Sequence, residues 1–329
     1  MLDAISSAPL GDDTYDEDPT VRKFEAMAAA MLGKEAAMLT ISGHMGNLSS
    51  LMAHAHPGDE VLLDPESHIF YYEAGSLANI AGLMPMPVRA QAGIIDPDDL
   101  KASIRSRNLH YPVPRLVCLE NTHNRSGGRA IPLDIHNSLC QVAHEHGVSV
   151  HLDGARIFNA AVRHAVPASA YAAEVDSVMF CLSKGLSCPL GSVVVGSEEF
   201  IARADSCRKR LGGGMRQAGV IAACGIVALE KMIARLAEDH ATAQILAHGL
   251  NRIPGLHVDL STLDTNMVYV DHSRTGVSTN EILARWKKAG VLASGRPPRH
   301  VRLVTNRHHD RAIIEEAVRR IETTIEAVA

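Results

Sequence analysis

No C-x-x-C pair occurs among the six cysteines (Cys118, Cys140, Cys181, Cys188, Cys207 and Cys224), and no spacing resembles a zinc site. Cys118 and Cys181 lie inside apolar runs, where a free thiol behaves as a small hydrophobe. A reducing, cytoplasmic compartment is therefore expected. No stretch of 18 apolar residues exists to span a membrane. The N-terminal run MLDAISSAPLGDDTYDEDP has neither a charged n-region nor a long apolar core, so it is not expected to be a signal peptide. A net charge of −5 argues against a general nucleic-acid or membrane-surface binder. The basic run Arg203, Arg208, Lys209, Arg210 has no aromatic platform beside it and reads as a solvated helix face.

What is present is an ordinary globular composition, 46% hydrophobic and 21% charged, in a 329-residue chain. That length holds one large α/β domain and a smaller one. Val21 to Leu32 shows helical spacing and stops at Gly33. EVLLD (60–64), LVCLE (116–120), VSVHLD (148–153), VDSVMFCLS (175–183) and SVVVG (192–196) are short apolar strands. Helical segments lie between them, among them Asp134–His146 and Glu198–Lys209. The alternation predicts α/β architecture, a mostly parallel sheet covered on both faces. One long helical region is expected from Gln217 to Ala247. After it LHVDL (256–260) and NMVYVDH (266–272) look like strands of a second sheet, with helices near 279–289 and 310–328. The boundary is placed between 1–245 and 246–329.

Sites in parallel sheets sit at the C-terminal ends of strands. One strand here ends HLDGAR, with Asp153 ahead of Gly154. A carboxylate there needs a positive partner, such as a protonated ring nitrogen, unless it merely caps a helix. The next strand ends SKGL, with Lys184 31 residues after Asp153. A lysine aimed into such a site would be desolvated, its pKa lowered, and its neutral amine able to form a Schiff base. Alone, it reads as a surface lysine. With one strand-helix-strand step between them, the two residues fall side by side at one sheet edge. A third element, ISGHMGNLSS (41–50), sets glycines before a helix, where free N–H groups and the helix dipole attract anions. It matches neither G-x-x-x-x-G-K-[ST] nor G-x-G-x-x-G.

The 18 histidines invite a metal, yet His144 and His146 point apart on a helix, and no metal is expected. His151 reads as packed in its strand. The acidic run Asp12–Asp18 reads as an exposed loop.

The runs GDDTYDEDPTV, LENTHNRSGGR, HLDGARIFNAA, CLSKGLSCPLGS and LGGGMRQAG together resemble the L-threonine aldolases of the β-eliminating lyase group. The resemblance extends from about Leu10 to Thr305. It implies the aspartate-aminotransferase-like fold (fold type I), with a large mostly parallel-sheet domain and a small C-terminal α+β domain. It implies pyridoxal 5′-phosphate as cofactor. The implied reaction is retro-aldol cleavage of L-threonine, L-allo-threonine and related β-hydroxy-α-amino acids to glycine and an aldehyde. Lys184 would be the Schiff-base lysine and Asp153 the partner of the pyridine nitrogen. Arg156 would reach the ring oxygen or the substrate carboxylate. Gly43 and His44 occupy the phosphate loop, where the family usually reads S-G-T. His68 would stack on the ring and His123 would lie near the substrate hydroxyl; both are candidate bases. Lys209 and Arg216 would line the phosphate side, from a neighbouring subunit, and Arg302 would grip the α-carboxylate. The family is usually a homotetramer, a dimer of dimers with active sites at the dimer interface, and its partner is a small amino-acid substrate. Two alternatives stay open: a β-eliminating amino-acid lyase on the same fold, and a truncated, impaired homologue that only binds.

Overall fold

The structure is a computed structural model and describes residues 1–326. It divides into two compact units, Met1–Arg125 with Ile131–Ala234, and Ser126–Ala130 with Arg235–Ala329. The division therefore falls at Ala234/Arg235, ahead of the expected 245/246.

The first unit is built on a seven-stranded sheet, with a separate two-stranded hairpin. In chain order its strands are β1 (Ala36–Thr40), β2 (Glu60–Leu63), β3 (Met84–Pro87), β4 (Ala90–Gln91), β5 (Ile94–Ile95), β6 (Pro114–Glu120), β7 (Ser149–Asp153), β8 (Ser177–Cys181) and β9 (Ser192–Gly196). The large sheet runs β1-β9-β8-β7-β6-β2-β3. β9 pairs antiparallel with both β1 and β8, and the other pairs are parallel. Each strand but β9 therefore points the same way, and the chain leaves β1, β2, β6, β7 and β8 at one edge. The run SVVVG is buried throughout, as a strand with neighbours on both sides must be.

Helices begin where the sequence supplies caps. Ser42 accepts from Met45 N–H at the start of the Gly43–His54 helix. That helix packs on β7, β8 and β9. Its close approach to β8 requires glycine, because a Cβ on Gly43 would lie 2.8 Å from Cys181 Sγ and one on Gly46 2.7 Å from Met179 Cγ. Asp18 caps the Pro19–Leu32 helix, accepting from Thr20 and Val21 N–H, and Gly33 closes that helix in the left-handed region. Asp18 also accepts from Gly11 N–H (3.2 Å) and Gly219 N–H (3.0 Å), and it is buried. The acidic run is thus not wholly an exposed loop; its last residue is an internal hub of N–H donors. The basic run departs likewise. Arg208 is buried and donates to Leu39 O (2.6 Å), beside Asp205 and Asp13, because its fork meets a carbonyl and two carboxylates there.

The single helical region expected over 217–247 is two helices, Gly219–Lys231 and Leu236–Leu250. The first packs within unit one on the Pro19–Leu32 helix, the second within unit two on the Arg311–Glu326 helix. Each apolar face serves a different core, so the helix breaks between them.

In the second unit β10 (Met267–Asp271), β11 (Ser294–Arg296) and β12 (His300–Val304) form an antiparallel sheet in the order β10-β12-β11. Trp286, Val268, Val270, Val301 and Ile321 fill its core. The expected strand LHVDL does not form. His257 makes one isolated bridge to Asp271, and Asp259 then accepts from Ser261 N–H, turning the chain into a short 3₁₀ helix at Leu260–Thr262. Positions 327 and 328 of the expected last helix lie outside the described residues.

Candidate active site

Asp153 ends β7 and is 1% exposed. Its Oδ1 accepts from Ala155 N–H (3.1 Å) and its Oδ2 from Asn47 Nδ2 (2.9 Å). Asn47 gives its other N–H to Glu73 Oε1 (2.8 Å). Glu73 is buried as well and lies 3.0 Å from His68 Nδ1. Thus His68, Glu73 and Asp153 each place one ring nitrogen or carboxylate oxygen within 4.8 Å of the others. Burial opposes a charge on His68, but the Glu73 hydrogen bond and the charges of Asp153, Glu73 and Glu120 outweigh it and raise its pKa. The backbone N–H of His68 donates to Glu120 Oε2 (2.6 Å), which fixes the turn after β2 to the end of β6.

A second imidazole sits at the same edge. His123 follows β6 and is 1% exposed. Its Nε2 is 3.1 Å from Asp64 Oδ2 and 3.9 Å from Glu120 Oε2. Burial again opposes the cation, and the Asp64 hydrogen bond with the Glu120 and Asp64 charges overcomes it, raising the pKa. Glu120 is pushed up by burial and by Asp153, against the pull of His123. Four buried carboxylates, Asp64, Glu73, Glu120 and Asp153, thus gather around two imidazoles.

Lys184 lies in the loop after β8, half-buried. The loop folds back on itself through Leu182 N–H to Gly191 O (3.0 Å), Cys188 N–H to Leu182 O (3.0 Å) and Ser187 N–H to Lys184 O (2.9 Å). Among the described residues the Lys184 amine makes no hydrogen bond or ion pair. Gly43 and His44 open their helix, and His44 Nε2 is 2.5 Å from Ser76 Oγ and 3.9 Å from Glu73 Oε2. His44 therefore joins the far side of Glu73. Arg156 is half-buried three residues beyond Asp153. Lys209 is exposed with its stem over Gly214, and Arg216 is exposed and pairs with Asp12 (2.6 Å). The hydrogen bonds and ion pairs described here give neither of them a contact with the His68–Asp153 cluster. Arg302 lies on β12, the central strand of the second unit's sheet.

Sequence reasoning passed over Asn47, Asp64, Glu73 and Glu120. Asp64 and Glu120 end the strands EVLLD and LVCLE, so the strand-end rule that picks out Asp153 reaches them too. Glu73 stands five residues after His68 in SHIFYYEAG, and Asn47 carried no signal.

The donor set fits pyridoxal phosphate. Asp153 is fixed by neutral N–H donors, which leaves its charge for a protonated ring nitrogen. Among the described residues the Lys184 amine is uncommitted. A metal would also suit three such atoms, but both carboxylates already accept N–H bonds from the Asn47 amide, an arrangement made for N–H donors.

The model of the β-eliminating lyase family matches residues 1–273. Low-specificity L-threonine aldolase 1 of Arabidopsis thaliana is 41% identical over 314 residues, covering 94% of this chain and 87% of its own length. A Leishmania major threonine aldolase superimposes with a TM-score of 0.82 at 19% identity, covering 100% of this chain and 95% of that one. Serine palmitoyltransferase from S. paucimobilis, solved with a bound PLP–myriocin adduct, superimposes with a TM-score of 0.77 at 20% identity, covering 99% of this chain and 82% of that one.

Proposed function

We propose, because this chain belongs to the β-eliminating lyase family, that it is a pyridoxal-phosphate-dependent aldolase cleaving L-threonine and L-allo-threonine to glycine and acetaldehyde. Its fold is fold type I, and it is a carbon–carbon lyase. The observation that carries the reading is Asp153, buried at the end of β7 and held by neutral donors one strand away from Lys184.

Bound there, pyridoxal phosphate supplies an electron sink for the pair released when the Cα–Cβ bond breaks. Lys184 would hold the cofactor covalently through its amine. Asp153 would keep the proton on the ring nitrogen. Gly43 and His44, opening a 12-residue helix, would offer N–H groups to the phosphate. Arg156 would reach the ring oxygen or the substrate carboxylate, and Arg302 keeps the carboxylate-binding role that the resemblance gives it. Lys209 and Arg216 would serve the phosphate of a neighbouring subunit. His68, whose side chain is 31% exposed, would be open to a ligand. His123 is sealed, with Gly93 against its ring. The proton of the β-hydroxyl therefore passes to His68, and His123 with Asp64 holds the wall behind it.

The working assembly in this reading is a homotetramer in the cytoplasm. All six cysteines are free and buried, as a reducing compartment allows. Among the described residues no helix is long and apolar enough to cross a membrane.

Purified protein should carry the visible absorption of a lysine-bound cofactor, and Lys184→Ala should lose it. L-threonine and L-allo-threonine should both yield acetaldehyde. Protein that takes up no cofactor would refute the reading, and ammonia with a keto acid in place of aldehyde would move it to β-elimination. Sedimentation velocity measures the assembly.

A further inference from the structure

Behind Asp153 lies a line of polar groups that the reaction does not use. Asn47 and His54 stand seven residues apart on one face of the same helix. Between them are His151 on β7 and Ser177, its direct partner on β8. Asn47, His151 and Ser177 are each 0% exposed. The contacts are His54 Nε2 to Ser177 Oγ (2.7 Å), Ser177 Oγ to His151 Nδ1 (2.8 Å) and His151 Nε2 to Asn47 Oδ1 (3.1 Å).

The direction of each bond is forced. Asn47 faces carboxylates with both hydrogens, Asp153 on one side and Glu73 on the other. Its Oδ1 must therefore accept, so His151 carries its proton on Nε2. The other tautomer would set two acceptors face to face across 3.1 Å in a dry interior. His151 Nδ1 then accepts the Ser177 hydroxyl proton, and Ser177 Oγ accepts from His54. Every donor along the line points toward Asp153.

We propose that this line is a positioning device for the cofactor site: Asn47, oriented by His151, Ser177 and His54, holds Asp153 aimed at the ring nitrogen through neutral donors alone. It rests on the reading of the site given above. Neutral donors suit the task. A lysine or arginine in Asn47's place would satisfy the carboxylate and compete with the protonated ring for its charge. Aligned N–H and O–H dipoles stabilise the anion and leave its charge available. His151 must stay neutral for the line to keep its direction, because its Nδ1 has to accept from Ser177, whereas His54 donates from Nε2 in either state. Burial holds His151 at about 3 and His54 at about 4. The charged groups facing His54 are Asp176 and Arg203, of opposite effect, while for His151 burial dominates and His54 is the titratable neighbour that adds to it.

The test begins with cofactor-free wild-type protein labelled with ¹⁵N-histidine. The resonance assigned to His151 should show a protonated Nε2 and a bare Nδ1, unchanged from pH 8 to pH 5. A protonated Nδ1, or a cationic ring at pH 6, overturns the proposal, whether or not any variant folds. In holoenzyme, Asn47→Leu and His151→Phe should shift the pH midpoint of the bound cofactor's absorption by about one unit, the worth of a hydrogen bond to a charged acceptor. They should also weaken cofactor affinity about tenfold and lower kcat more than KM. His151→Gln, which can still donate to Asn47, should recover most of the shift. If His151→Phe leaves midpoint and affinity at wild-type values, the proposal fails while the aldolase reading stands. If wild-type protein binds no cofactor, the aldolase reading fails, and the tautomer result is unaffected.

Discussion

Gly93 rests against His123 so closely that a Cβ placed on it would lie 2.3 Å from the imidazole Cγ. Gly93 closes the two-residue turn between β4 and β5, where Ala92 and Gly93 both have positive φ, 51° and 77°. The hairpin is thereby pressed onto a buried imidazole. Gly93→Ala should displace His123 from Asp64 and also strain the turn, since alanine tolerates that φ poorly. Activity should fall about tenfold, the cost of shifting the wall against which His68 is proposed to act, while the cofactor band persists. Wild-type turnover in this variant would show that His123 needs no fixed place.

Glu73 sets the proton affinity of His68. A base must be neutral to act, so the acidic limb of kcat/KM should have its midpoint above 6.5, the ordinary histidine value, because His68 is raised. Glu73→Gln removes the charge and keeps a hydrogen-bonding side chain. The limb should move to lower pH, and the ratio of activity at pH 6 to that at pH 8 should rise. A limb that stays in place would take the base role away from His68.

Acid should unfold the protein through histidines that the fold keeps neutral. Burial lowers His54 and His136 to about 4 and His151 to about 3. An unfolded chain takes up these protons near 6.5. Stability is full above that pH, falls as pH drops below it, and the loss levels off only at the folded values. Each such histidine contributes a slope of about 1.4 kcal/mol per pH unit in that window. Thermal melts between pH 7 and pH 4.5 should show it. His136→Gln, which can still donate to Tyr171 O as His136 does at 2.9 Å, should flatten the slope. An equal slope in the variant would place the acid sensitivity elsewhere.

Strands such as EVLLD and LVCLE were legible because a strand buried on both faces has a near-continuous apolar run, and their polar last residues announce the edge where chemistry sits. What escaped depends on groups that meet only in the folded chain. Asn47 is 106 residues from Asp153, and nothing in GHMGNLSS marks it as a donor to two carboxylates. Arg208 looked solvated because a basic run on a helix usually is; its actual partners include a carbonyl 169 residues away. LHVDL alternates like a strand, but the turn made by Asp259 overrides that pattern. The break after Lys231 was hidden because both helices are apolar and alanine-rich, and periodicity does not say which core an apolar face will enter.

Asp18 has a bearing on the order in which the molecule is completed. Its oxygens are shared between neighbours, Thr20 and Val21, and Gly219, which lies 201 residues further along. The Pro19–Leu32 helix can be capped as soon as it leaves the ribosome, but the Gly219 donor does not exist until most of the chain has been synthesised. During that interval one face of the carboxylate stays hydrated, and the segment around Gly11 has no second anchor. Completion of the Asp18 hub therefore waits on translation of the distal helix, while its local bonds to Gly11, Thr20 and Val21 need only the chain as far as Val21.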